Sequence, residues 1–365
     1  MSLNSYISNF KRTLNSPLSP KKYLLLLCGG GLLQVLLVIL VLVIHDPMHL
    51  FRATLPDGEL PQLEMTQQRF QNPAIAKTYG SRYNAIIIGT SMAENFSSSE
   101  IKSKLGARAM NLAMSGAKLD EMLLLLSYTF SKNPQIKTVI WGIQPDHIFA
   151  KKEKPSEENS FPTYLYNDNM LDDILAYVGK RFFLKPQSVA EDHLWNWYDV
   201  YKDMGHFTRS HYFETACTLI TETKEAKPLF ENRIPAISKM LAAHPDITFY
   251  IFIPPRSALL LKKYADKYYA GIIAFSKLLS HPNARLFDFT QMRTLTMDIS
   301  RYKDVGHYDA MGNSEMVSAF ASDSFRLTQK NIPRSLQNIL KYKQATLAEF
   351  GITKEDIARY CPSHQ

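Results

Sequence analysis

An α/β protein built on a parallel sheet is the fold class this sequence predicts, and three observations predict it. Short apolar, β-branched runs recur between residues 81 and 330. Segments of helical composition separate them. The runs end in Gly or are stopped by Pro. Strands alternating with helices imply a sheet covered on both faces. The 365 residues are 45% apolar and 21% charged, which excludes a largely disordered or fibrous chain and is too polar for a multi-span transporter. Three cysteines exclude a disulfide-rich scaffold and any four-cysteine metal site.

The chain opens with charge and then loses it. Residues 1–22 hold Lys11, Arg12, Lys21 and Lys22 and no acid, so this tail carries four of the eight net positive charges. The remainder is spread thinly, which is not the clustered footprint of a nucleic-acid binder. Residues 23–44 are uncharged, and Gln34 is their one amide. As a helix they span ~33 Å, enough for a hydrocarbon core of ~30 Å. The run is too long for a cleaved signal peptide, and no A-x-A-type site comes after it. Cys28 lies too early in it for lipoprotein attachment. The expectation is a single transmembrane helix, 23–44, with the lipid bilayer as its partner. The positive tail, 1–22, then lies in the cytoplasm and the rest outside.

Residues 45–80 read as a Pro-containing linker. The first strand is Tyr83–Gly89, with Ile86, Ile87 and Ile88 in sequence. Ala107–Ala113 is a weaker second strand, and Leu119–Phe130 a helix. Thr138–Ile143 is the third strand. Residues 150–245 interrupt the alternation with many aromatics, including Phe161, Tyr166, Trp195, Trp197, Tyr212 and Phe213. They are read as a small helical subdomain with its own aromatic core, with an aromatic cap over a substrate as the alternative. Ile247–Ile253 is the fourth strand, stopped by Pro254 and Pro255. Leu259–Leu279 is a helix, Arg285–Phe289 the fifth strand, and a helix after Gly312 closes the unit. Residues 331–365 read as a helical appendage. Cys217 and Cys361 either pair or remain thiols, and the sequence leaves both open.

Parallel sheets carry their sites just beyond the C-terminal ends of the strands. That rule points to the residues just after Ile88, Ala113, Ile143 and Phe289. The first strand runs into Gly89-Thr90-Ser91-Met92, which puts a hydroxyl on a strand-to-helix turn, where backbone N–H groups are open to an anion. After the last strand comes Asp304-Val305-Gly306-His307. An Asp three residues before a His can hold one ring nitrogen and leave the other to take a Ser proton. Tyr201-Lys202-Asp203-Met204-Gly205-His206 nearly repeats Tyr302–His307. Two such pairs could hold a metal. The later pair is preferred for catalysis, because it comes after a strand and precedes the closing helix, and no metal or other cofactor is expected.

Taken together, Ser after the first strand, Gly after the second, a Gly-containing turn after the third and Asp-x-x-His after the last resemble the SGNH/GDSL hydrolase superfamily. The likeness is to its membrane-anchored envelope branch of acyl-transfer proteins and acetylesterase-like enzymes. It covers residues 83–327 less the insert. It implies a flavodoxin-like sheet in an 81–330 domain with Ser91, Asp304 and His307 catalytic. Ser91 and Gly116 would supply backbone oxyanion donors, with Gln144 where the family has an Asn donor. Thr90 stands where the family has Asp. The implied function is a serine acyl ester hydrolase or O-acyltransferase in the periplasm, anchored in a bacterial inner membrane. It would act on an acylated glycan or acyl donor, with a membrane-bound acyltransferase as a candidate partner. The two departures motivate the alternative, an inactive scaffold or glycan-binding component of an envelope-assembly complex.

Overall fold

The structure, a computed structural model, describes residues 19–45, 59–62, 68–156, 161–169, 171–173, 187–190, 209–221 and 231–361. The chain divides into two units, residues 1–47 with 170–184 and residues 48–169 with 185–365.

In the first unit, α1 (Pro20–His45) is one uninterrupted helix. Ser19 starts it: its hydroxyl accepts from the Lys22 N–H at 3.4 Å, and Pro20 takes the first helical position, where no N–H is needed. The window Pro20–Val41 has a mean hydropathy of 2.7 and no buried part, so the helix is long and apolar enough to cross a membrane.

The second unit is built on a five-stranded, all-parallel sheet. β1 (Glu59–Gln62) lies apart from it and pairs antiparallel with β5 (Gln187–Ala190). The main sheet comprises β2 (Ala85–Ile88), β3 (Ala109–Asn111), β4 (Thr138–Gly142), β6 (Thr248–Ile253) and β7 (Ala284–Asp288), in the order β3-β2-β4-β6-β7. Numbered among themselves, these five strands run 2-1-3-4-5. The order reverses between β2 and β4, which makes that gap the switch point of the sheet.

Strand alternation sorts the core onto two faces. On one face Trp141, Phe249 and Ile251 are fully buried beneath α4 (Leu119–Lys132). Trp141 Nε1–H points at the Met122 sulfur, and Phe249 meets Phe130 edge-on. On the other face Tyr250, Phe252, Phe287 and Phe289 surround Phe320 of α9 (Ala310–Ser322), with ring centroids 4.9–5.7 Å from it. α9 in turn packs on α3 (Ser98–Leu105). Helices therefore cover both faces, as the alternation of strand and helix predicts.

Four expectations change. Residues 68–78 are not linker but α2 (Gln68–Thr78), which packs on α4 and buries Gln71, Asn72, Pro73 and Ile75. Its polar residues hide it from a reading based on apolar periodicity. The long helix after β6 is interrupted at Tyr264 into α7 (Ala258–Lys263) and α8 (Ala265–Ser276). Both halves pack against α10 (Ile332–Gln344).

The C-terminal segment is thus part of the core rather than an appendage. Ile339 and Tyr342 are buried, the Tyr342 hydroxyl donates to the Thr290 carbonyl, and Gln291 Nε2 donates to Ser335. Among its described residues the insert is only partly helical, with α5 (Arg209–Thr221), α6 (Ile234–Ala243) and strand β5. Phe161 and Tyr166 join the main core through Tyr128. Asp203, His206, Trp195 and Trp197 lie outside the described residues. The open question of the cysteines is closed by a Cys217–Cys361 disulfide, which ties α5 to the end of α11 (Lys354–Tyr360).

Phe320 sits at the centre of one face, so Phe320→Ala is expected to lower the unfolding free energy by about 3–5 kcal/mol. Chemical denaturation of the full chain in detergent, followed by near-UV circular dichroism, measures this. A loss under about 1 kcal/mol would mean that the cluster closes over the gap and does not anchor α9.

Candidate active site

Five loops converge at the C-terminal edge of the sheet. β2 runs into Gly89, and Thr90 caps a tight 3-10 turn, Ser91–Ala93, by accepting from the Met92 N–H at 3.4 Å. The turn is held from the side by Asn111, at the end of β3, whose amide donates to the Ala93 and Glu94 carbonyls at 3.1 and 3.0 Å. Ser91 is thereby fixed on a rigid turn at the switch point.

The last loop brings Asp304 and His307 to it. Ser91 Oγ lies 2.8 Å from His307 Nε2, and His307 Nδ1 lies 2.7 Å from Asp304 Oδ2. Asp304 Oδ1 also accepts from the Gly306 and His307 backbone N–H groups at 2.7 and 2.8 Å, closing its own turn. Burial pushes the Asp304 carboxyl up. The hydrogen bond and charge of His307 and the two backbone donors outweigh it and hold the group down at about 2. The acid is therefore ionised and aligned on Nδ1, which leaves Nε2 facing the serine.

The loop is pinned on both sides. The Ser257 hydroxyl donates to the Val305 carbonyl at 2.7 Å, and the Val305 N–H donates to Thr215 Oγ1 on α5 at 3.0 Å. Tyr308 donates to the Met92 carbonyl at 2.8 Å, a strut from the residue after His307 to the residue after Ser91.

Gly116 closes the cleft. Its φ of +61° suits glycine, and its loop is braced by α2: the Ser115 N–H donates to Gln68, and Arg69 reaches the Ser115 carbonyl at 3.2 Å while pairing with Glu121. Among the described residues, neither the Ser91 nor the Gly116 N–H has a hydrogen-bond partner. Both residues line a cleft of ≈ 530 Å³ together with Thr90, Gln144, His147, Arg256 and His307.

Gln144 comes directly after β4, as the sequence places it. Its Nε2 donates to Thr90 Oγ1 at 3.0 Å, and its Oε1 accepts from Arg256 Nη2. His147 ties this loop to the glycine loop. Its Nδ1 accepts from the Gln144 N–H at 3.1 Å, so the proton sits on Nε2, which donates to the Ala117 carbonyl at 3.1 Å. Burial drives His147 down to about 4, which keeps the ring neutral and both bonds intact.

All five sequence-predicted residues, Ser91, Gly116, Gln144, Asp304 and His307, thus line one cleft or bond directly to a residue that does. Sequence reasoning missed the braces Gln68, Arg69 and His147, and it missed Arg256. The last carried a signal: Arg256 stands just beyond β6, a strand end like the others, but Pro254 and Pro255 read there only as a stop. Elsewhere on the cleft wall, where Lys151 also stands, Asp120 is paired to Arg233, Asp146 to Lys267 and Glu153 to Lys118. No protein-family model and no curated protein matches the chain.

Because the unfolded chain protonates His147 near pH 6.5 and the folded protein resists until about 4, stability is expected to fall as pH drops through that window. The loss attributable to His147 is at most roughly 3 kcal/mol. Urea titrations from pH 7 to pH 4 should show this slope in the wild type and a shallower one in His147→Gln. Identical slopes would mean that the ring is not held neutral.

Proposed function

We propose that this chain is a membrane-anchored serine acyl ester hydrolase or O-acyltransferase of the SGNH/GDSL type. The observation that carries the reading is the aligned Ser91–His307–Asp304 chain at the switch point, with contacts of 2.8 and 2.7 Å. The 2-1-3-4-5 strand order supports a flavodoxin-like sheet, the scaffold that the sequence resemblance implies.

In this reading Ser91 Oγ attacks the acyl carbonyl carbon while His307 Nε2 takes its proton. The carbonyl oxygen gains the negative charge and is held by the Ser91 and Gly116 N–H groups. Collapse expels the alkoxide, which takes the proton from His307, and leaves the acyl group on Ser91. Water or a sugar hydroxyl then attacks in the same way. Asp304 stays ionised throughout and supports the imidazolium.

The helix α1 supports a bilayer anchor. The basic residues before it support a cytoplasmic N-terminus, and the Cys217–Cys361 bridge supports an oxidising compartment for the rest. A bacterial inner-membrane protein with a periplasmic catalytic unit fits these features. Acylated envelope glycans, and an integral-membrane acyltransferase as the source of acyl groups, are the substrate and partner that suit such a placement.

A fluorophosphonate probe is expected to label the full chain in detergent and to leave Ser91→Ala unlabelled. Asp304→Asn is expected to slow labelling by roughly 10³–10⁴-fold through loss of the ring's orientation. Equal labelling of wild type and Ser91→Ala would sink the nucleophile assignment and favour the scaffold reading. A phosphatase reporter fused after the last residue is expected to be active on intact cells. A silent but intact fusion would reverse the orientation.

A further inference from the structure

The two positions that depart from the SGNH pattern touch each other. Thr90 Oγ1 accepts from Gln144 Nε2 at 3.0 Å, and behind Gln144 stands Arg256. The guanidinium has no carboxylate partner among the described residues, whereas Arg233, Lys267 and Lys118 in the same cleft are each paired with one. Its Nε is buried without a hydrogen-bond partner among them, and one face of the group lies against Gly306, in the turn between Asp304 and His307. The guanidinium is part-buried on the cleft wall, where its charge is less screened than in open solvent and acts on whatever occupies the cleft.

Its geometry settles the orientation of the amide. Gln carries an acceptor on one branch and two donors on the other, and a Thr hydroxyl can face either. Arg has donors only, so the atom that meets Arg256 must be the Gln144 oxygen. Nε2 is thereby turned to Thr90, the residue before Ser91. One of its hydrogens goes to Thr90 Oγ1, and the other remains for a ligand. In the flipped orientation the amide oxygen would face the Ser91 side and repel a negative oxygen there. A cation on the amide oxygen also polarises the group and strengthens its N–H as a donor.

We propose that Arg256 is the positioning residue of the oxyanion site, fixing the Gln144 amide with its donor side toward Ser91 and passing positive charge through it to the tetrahedral intermediate. The role rests on the hydrolase reading above. It makes Thr90, Gln144 and Arg256 one unit: the neutral hydroxyl accepts, the amide bridges and the guanidinium orients.

The test is p-nitrophenyl acetate hydrolysis by the full chain in detergent, in a double-mutant cycle. Gln144→Ala should lower kcat by roughly 100-fold, the loss of one oxyanion donor. Arg256→Met should lower kcat by roughly tenfold or more with KM little changed. The double variant should match Gln144→Ala within about threefold, because Arg256 then has nothing to orient. Gln144→Glu keeps a partner for Arg256, and so should melt no lower than wild type, yet lose at least as much kcat as Gln144→Ala.

Additive losses in the double variant, a change confined to KM, or a Gln144→Glu variant at the wild-type rate would each overturn the proposal. Ser91→Ala separates this from failure of the underlying reading. Hydrolysis that survives Ser91→Ala, or a wild-type chain inert to both ester and fluorophosphonate, overturns the hydrolase reading and this role with it. Hydrolysis lost in Ser91→Ala but untouched in Arg256→Met overturns the role alone.

Discussion

The site depends on how closely the ends of β2 and β4 approach. A Cβ on Gly89 would lie 2.9 Å from the Ala93 methyl and 3.4 Å from the Gly142 backbone, and one on Gly142 would lie 2.9 Å from the Phe252 ring. Contacts below about 3 Å cannot be absorbed where a close-packed core stands behind them. Gly89 therefore lets the serine turn fold back against β4, and Gly142 admits the Phe252 ring against the same strand. With a side chain at position 89, the turn would move away from the edge. The bond from Gln144 to Thr90 would be the first to stretch, since its two ends belong to the two strands.

Onto this floor comes the Asp304–His307 loop, which arrives from more than two hundred residues away and gains little from sheet pairing. Its order is made locally and then tied. Asp304 accepts from two N–H groups of its own turn, a compact motif that forms before any long-range contact is needed. Ser257 and Thr215 then take the Val305 carbonyl and N–H, and Tyr308 takes Met92. Thr215 lies on α5, two residues before the cysteine that bridges to Cys361. One end of the triad loop is thus joined to the far end of the chain through one helix and one disulfide.

How much of this was legible in the sequence depends on which forces write themselves as patterns. Buried parallel strands do, because Ile86–Ile88 and Thr248–Ile253 must be apolar on both sides, and their positions are matched to within about two residues. Residues at strand ends do too, because topology alone decides that they meet. Long-range polar bracing does not. α2 reads as linker, since Gln68, Arg69 and Asn72 are polar and only the fold shows that they serve the loop at Leu112–Gly116. α10 reads as an appendage for the same reason, its hold on the body being a few apolar side chains and a network around buried Asp288, Thr290 and Ser335. Arg256 stays hidden because its one signal, a place just beyond β6, is masked by the two prolines that read as a stop, and its partner is an amide more than one hundred residues earlier.

Thr90 and Gln144, the two positions that depart from the pattern the sequence resembles, become intelligible once Arg256 is included. A carboxylate at position 90 would stand beside Gln144 Nε2 and accept its hydrogen as the Thr hydroxyl does. It would also draw the amide and the guanidinium field toward itself, since a charged acceptor binds such donors about twice as strongly. That would place a fixed negative charge next to the point where the proposed reaction forms an oxyanion. Thr90 accepts the same hydrogen without the charge. The longer Gln reaches from β4 to both Thr90 and Arg256. A neutral acceptor, a long amide and a guanidinium lacking a carboxylate partner among the described residues are three parts of one electrostatic arrangement, and exchanging Thr90 alone for an acid would leave the other two working against it.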